Sequence, residues 1–149
     1  MKIAFDENVP SEMAMVFQTL AKQIGVLNAE IVLAKSYRPD GEKGDEHWTR
    51  RFAADGGQVV ISGDTRMRSR VHELAALVES GLVTYFSERK WSTVSFFTKS
   101  AMLLHWWKPV RDHMETAQRG TCWEIPFQWQ WKDLVNVSAD PQAIKAKKG

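Results

Sequence analysis

Apolar and polar positions fall into short blocks along the chain, and the spacing within a block shows which element it forms. Ile3-Ala4-Phe5 is a compact apolar run that stops at Asp6-Glu7-Asn8, as a buried strand entering a polar turn does. Pro10 and Ser11 suit the first turn and cap of a helix. Met13, Val16, Phe17, Leu20 and Ile24 then recur at helical spacing, and Gly25 ends the run. Ala29 to Leu33 predicts a second strand, and the polar stretch from Ser36 to Gly44, with Pro39 and Gly41, predicts a loop. Asp45 stands where a cap would, Trp48, Phe52 and Ala53 share one face of the helix that follows, and Gly56-Gly57 closes it. Gln58 to Ser62 is a third, β-branched strand that runs into Gly63-Asp64. Val71, Leu74, Ala75 and Val78 mark a short helix stopped by Gly81, and Leu82 to Phe86 reads as a fourth strand.

The second half is more aromatic. Ser92 is placed to cap a long helical stretch whose apolar face is Phe97, Ala101, Leu104, Trp107, Val110, Met114 and Ala117, with Trp106 beside the stripe. Pro109 is expected to kink or split that stretch, because it has no N–H and crowds the preceding turn. From Thr121 to Trp131 a partial alternation puts Trp123, Ile125, Phe127, Trp129 and Trp131 on one face of a late edge strand. Ala139 to Gly149 is Lys-rich and weakly apolar, as a frayed tail is. Strands alternating with helices predict an α/β fold: a three-layer α/β/α sandwich with a central, mainly parallel sheet. One domain over 1–135 and a flexible tail over 136–149 is the expected organisation, with no internal repeat.

In such sheets, ligands bind beyond the carboxyl ends of the strands, which draws attention to the acids. Asp6 follows the first strand, Asp64 follows the third, and Asp45 and Glu46 open the helix leading into the third. If the first and third strands are neighbours, Asp6 and Asp64 project into one crevice, and carboxylates held that close need a cation or a shared proton. All-oxygen ligation favours Mg²⁺ or Mn²⁺, and a metal-activated water would then hydrolyse a phosphodiester without a covalent enzyme intermediate. Plainer readings stand beside this one. Aspartate after a strand is common in turns. Asp45 as a helix cap is worth about 1 kcal/mol, and Glu46 suits a helix start. Glu7 and Asn8 are candidate outer-shell residues or simply a solvated turn.

At these residues the sequence resembles a known family. Lys-Ile-Ala-Phe-Asp-Glu-Asn-Val-Pro at 2–10 resembles the opening of PIN-like domains, Gly-Asp-Glu-His-Trp at 44–48 their second acidic segment, and Val-Val-Ile-Ser-Gly-Asp at 59–64 the strand that delivers a further acid. His-Glu-Leu-Ala-Ala-Leu at 72–77 and Gly-Leu-Val-Thr-Tyr-Phe at 81–86 continue the pattern, and the Trp-rich segments at 105–107 and 123–126 are similar to the PIN-like group related to VapC-type toxins. The resemblance spans residues 2–130. It implies a metal-dependent ribonuclease, often the toxin of a toxin–antitoxin pair, with Asp6, Asp45 or Glu46, and Asp64 as metal-binding carboxylates. Two departures count against full activity. No helix acid matches the family's additional one, since Glu30 lies in an apparent strand and Asp40 and Glu42 in a loop. Arg66 stands where many members have a second acid.

Composition adds limits. The 149 residues carry 44% hydrophobic and 26% charged side chains, an ordinary globular mixture. A single cysteine, Cys122, excludes an internal disulfide and a Cys-rich zinc site, and suits a reducing cytoplasm. No apolar signal core and no membrane-length apolar run is present, so a cytoplasmic protein that does not span a membrane is expected. The net charge of +2 is low for a general polyanion binder, yet a basic groove beside an acidic pocket has the same sum. Arg66, Arg68 and Arg50 are candidates for contacting an RNA backbone through phosphate, with a solvated charged face as the alternative. Of the seven tryptophans most suit the core, while Trp129 and Trp131 are candidates for an exposed interface, a homodimer among them. His47 neighbours the acidic pair as a candidate phosphate contact or proton donor, His72, His105 and His113 have no ligand-like spacing, a structural or surface role is the default for all four, and Gly-rich nucleotide motifs are absent. The competing classes are an endoribonuclease paired with an antitoxin protein, a catalytically inactive PIN-like module that binds protein or RNA, and, last, a receiver-like phosphotransfer domain, for which no lysine follows the fourth strand suitably.

Overall fold

The computed structural model describes residues 1–6, 8–23, 30–44, 46–63 and 71–138. Six strands form one sheet in the order β2-β1-β3-β4-β5-β6: β1 Lys2–Phe5, β2 Glu30–Leu33, β3 Val59–Ser62, β4 Val83–Ser87, β5 Cys122–Ile125 and β6 Val135–Asn136. All neighbours are parallel except β5 and β6. The four helices are α1 Ser11–Gln23, α2 Glu46–Ala54, α3 Val71–Glu79 and α4 Phe96–Met114, with short 3-10 helices at Ala34–Ser36 and Arg89–Thr93.

Each central strand is apolar on both faces because both are covered, as parallel sheets require. Ile3, Phe5, Val59 and Ile61 pack with Met13 and Phe17 of α1 and with Leu103, Trp106 and Trp107 of α4. The alternate residues Ala4 and Val60 pack on the opposite face with Trp48 and Phe52 of α2 and Leu74 and Leu77 of α3. The fold is therefore the expected three-layer α/β/α arrangement. Phe5, Phe17 and Trp107 form the aromatic centre of the first layer, with Phe17 and Trp107 stacked at 4.6 Å. No helix among the described residues is long and apolar enough to cross a membrane.

Several details differ from the sequence pattern. Val16 is exposed although it keeps the helical spacing of α1, because the buried face turns to Met13, Ala14 and Phe17. Ser95, not Ser92, caps α4, its hydroxyl accepting from Thr98 N at 3.3 Å, while Ser92 is spent inside the preceding 3-10 helix. Phe97 (81% exposed), Ala101 and Leu104 face outward, and the buried face is Met102, Leu103, Trp106, Trp107, Val110 and Met114. Pro109 does not split α4. The carbonyl it leaves without a helical donor, that of His105, accepts from Trp131 Nε1 at 3.1 Å, which offsets the loss. The late strand is shorter than expected and is not an edge: β5 ends at Ile125, and β6 lies outside it, with Val137 N donating to Cys122 O at 2.8 Å. Beyond Ile125 the Trp-rich segment instead wraps α4, where Trp106 Nε1 donates to Gln128 O at 2.8 Å. Trp129 and Trp131 are exposed, as expected. Ile24, Gly25, Ala29 and Ala139–Gly149 lie outside the described residues.

A part-buried polar pair links β4 to the end of α4. Burial raises the Tyr85 phenol, so it keeps its proton, and its hydroxyl is hydrogen-bonded to His113 Nδ1 at 2.7 Å. Burial also lowers the His113 imidazole from its ordinary value of 6.5, and Trp123 packs on the ring at 4.3 Å. The unfolded chain therefore takes up a proton here before the folded one does, and stability drops as pH falls through 6.5 towards the lower folded value. The melting temperature of the wild type is expected to fall more steeply between pH 7.5 and 5.5 than that of His113→Asn. Parallel curves would remove His113 as the titrating group.

Candidate functional site at the carboxyl ends of β1 and β3

β1 lies between β2 and β3, so the chain leaves it in one direction and later returns on the other side. This is the point in an open parallel sheet where a crevice forms beyond the strand ends. Asp6 stands there, one step past the Phe5–Ile61 pair, and its backbone N–H still donates to Ile61 O at 3.1 Å. It is only 2% exposed. Oδ1 accepts from Asn8 N at 3.0 Å and from Gly63 N at 3.1 Å, and the Ser62 hydroxyl donates to Oδ2 in a short bond. These donors use part of the acceptor capacity of a carboxylate and fix its orientation. The contact from Asn8 closes a local turn of the kind Asp favours, and Val9 N donates to Asp6 O at 3.1 Å to complete it.

Gly63 lets the turns after β1 and β3 touch. A Cβ there would stand 2.7 Å from Asn8 O and 2.9 Å from Asn8 C, both backbone atoms that move only with the turn. Gly63→Ala is therefore expected to cost about 1–3 kcal/mol in a denaturant titration, through overpacking against the Asp6 turn. A cost below about 0.5 kcal/mol, the range of a neutral surface change, would show that the turn slides freely.

Two hollows flank this turn. The smaller, of about 170 Å³, is bordered by Asp6, Pro10, Leu33 and Lys35 on the β2 side. The larger, of about 420 Å³, lies on the β4 side and reaches Asn8 and Gly63.

Glu46 begins α2, half-buried, with its carboxylate 3.7 Å from Arg50. Arg50 also reaches Glu79 of α3 at 3.1 Å, so it joins the two helices of that layer. Glu7, Asp45, Asp64, Arg66 and Arg68 lie outside the described residues. The structure thus gathers Asp6 with Asn8, Ser62 and Gly63, and puts Glu46 at the same end of the sheet at the start of α2.

Three residues not singled out by sequence reasoning belong to this region. Ser62 and Gly63 orient Asp6. Glu73, in the first turn of α3, is a buried carboxylate whose Oε1 would lie 3.3 Å from a Cβ on Gly44, just before α2. The available signals were a hydroxyl and a glycine at a strand end, and an acid on the inward side of an apolar helix. Among the described residues no group of three or more His, Cys, Asp or Glu side chains is placed to hold one metal ion. The donor chemistry that is present, carboxylate oxygen from Asp6 and Glu46, fits a hard cation of the Mg²⁺ or Mn²⁺ class.

Comparison with known families bears directly on this geometry. A model of the PIN-like domain matches residues 1–89, which takes in β1 through β4 and the Asp6–Ser62–Gly63 contact. The chain belongs to the PIN-like domain family. PIN-like domains are a nuclease-type family that generally uses divalent metal ions. No curated protein and no solved structure matches the chain significantly.

Proposed function

We propose that this PIN-like domain is a divalent-metal-dependent endoribonuclease that hydrolyses RNA phosphodiester bonds. The observation that carries the reading is Asp6: a buried carboxylate, oriented by three donors, at the strand-order reversal of a sheet whose family is nuclease-type. Asp6 would hold the cation together with Glu46 and, by their positions in the sequence, Asp45 and Asp64. A bound Mg²⁺ or Mn²⁺ supplies Lewis-acid stabilisation of phosphoryl oxygens and an activated water at neutral pH. The chain's own part is positional. Ser62 and the N–H groups of Asn8 and Gly63 keep the Asp6 carboxylate from turning away, so little reorganisation is needed when charge develops in the transition state. Burial of Asp6 at the base of the crevice keeps water from competing for its oxygens.

The finer form of this reading is a VapC-like toxin whose antitoxin covers the crevice, acting in the cytoplasm. The exposed Trp129 and Trp131 are the surface on which a homodimer would form.

The experiment is cleavage of a labelled RNA mixture by wild type with Mn²⁺, Mg²⁺ or EDTA. Cleavage with either metal and none with EDTA supports the reading. RNA left intact by folded, metal-loaded protein would instead favour a PIN-like module that binds without cutting.

A further inference from the structure

The larger cleft beside the Asp6 turn has a division of chemistry that the acidic centre does not use. Its volume, about 420 Å³, lies within the ~300–1,000 Å³ of small-molecule sites. Its lining includes the apolar Val9, Met13, Trp91 and Leu103. Trp91 is held in place by its indole N–H, which donates to Ile125 O at 3.2 Å. The lining also includes Arg89 and Lys99 with the hydroxyl-bearing Ser87, Ser92 and Ser100.

Arg89 and Lys99 form no ion pair among the described residues. The hydroxyls are not equivalent. Ser87 donates to Ser62 O and Ser92 to Arg89 O, but the buried Ser100 hydroxyl has no hydrogen-bond partner among the described residues. A buried hydroxyl left without a partner is costly, and a ligand oxygen would satisfy it.

Two cations and a donor hydroxyl suit a phosphate, and apolar lining residues suit a base. We propose that this cleft takes one nucleotide of a single-stranded RNA, with its phosphate towards Arg89 and Lys99 and its base against the apolar lining residues. The assignment rests on the ribonuclease reading and adds to it a substrate subsite. Because Asn8 and Gly63 both line the cleft and orient Asp6, a nucleotide bound here fixes the register of the strand relative to the acidic centre.

The test is calorimetric titration of wild type in EDTA with 5′-AMP, 5′-UMP and inorganic phosphate, alongside metal-supported RNA cleavage. Saturable nucleotide binding, tighter than that of phosphate, is expected. It should weaken about tenfold in Lys99→Ala and in Arg89→Ala, the loss of one charge-assisted phosphate contact. Lys108→Ala, on the same helix but paired with Asp112 outside the cleft, should bind as wild type. RNA cleavage should show a raised KM in the two cleft variants with unchanged melting temperatures. Absence of nucleotide binding, equal affinity for phosphate and nucleotide, or binding indifferent to both substitutions would each overturn the subsite. The two readings fail separately. Nucleotide binding through Lys99 with no cleavage under any metal removes the nuclease and keeps the cleft. Cleavage indifferent to Lys99 and Arg89 removes the cleft and keeps the nuclease.

Discussion

Asp6→Asn is expected to lower metal-dependent RNA cleavage by roughly a hundredfold or more, equivalent to about 2.7 kcal/mol of transition-state stabilisation. The substitution is nearly isosteric. The amide oxygen can take the place of Oδ1 and accept from Asn8 N and Gly63 N, while the Ser62 hydroxyl can turn to accept from the new NH₂ group. The fold should therefore survive with little change in melting temperature, and what is lost is the negative charge that a cation needs. Asp6→Ala differs in kind. It strips the acceptor from three donors at a site that is 2% exposed, at about 1–3 kcal/mol for each group left without a partner. A pair of results, inactive but stable for Asn and inactive and destabilised for Ala, would separate charge from scaffolding. The decisive measurement is single-turnover cleavage in Mn²⁺, and an Asn variant that cuts like wild type would end the case for Asp6 as a metal ligand.

Trp106→Ala is expected to cost about 3–5 kcal/mol of stability, against about 5–15 kcal/mol for a whole domain. Trp106 is 0% exposed, packs with the face of the sheet that carries Phe5 and Ile61, and donates its indole N–H to Gln128 O at 2.8 Å. Truncation opens a cavity the size of the ring and also frees the segment that wraps α4. Trp106→Phe keeps most of the volume and removes only the hydrogen bond, so its cost should be nearer 1–2 kcal/mol. Urea titration of the three proteins checks both values. Equal costs for Ala and Phe would mean that the hydrogen bond, and not the packing, carries the contribution. Because α4 also supplies Lys99 and Ser100 to the cleft, a weakened α4 should loosen nucleotide binding as well.

Cys122 illustrates how composition and structure divide the work. Its solitude in the sequence excluded disulfides, but only its position in β5 shows that burial pushes the thiol up to about 12 and keeps it protonated.

The alternation of apolar blocks and glycine punctuation was enough to place β1 to β4 and α1 to α3 and to put Asp6 at a strand end. Those features are local: a strand covered on both faces must be apolar throughout, and a chain leaving it must turn polar. The tertiary structure decided what depends on a partner distant in sequence. The helical period put Phe97, Ala101 and Leu104 on the apolar face of α4, but apolar residues lie around most of that helix, and contact with β1, β3 and the Gln128 carbonyl buries Trp106 and leaves Phe97 exposed. β6 has two residues and no pattern of its own, and exists because β5 offers it an edge. Ser62, Gly63 and Asn8 carry no periodic signal. Pairing β1 with β3 brings them onto Asp6, and pairing is a long-range choice made by the whole core rather than by any one segment.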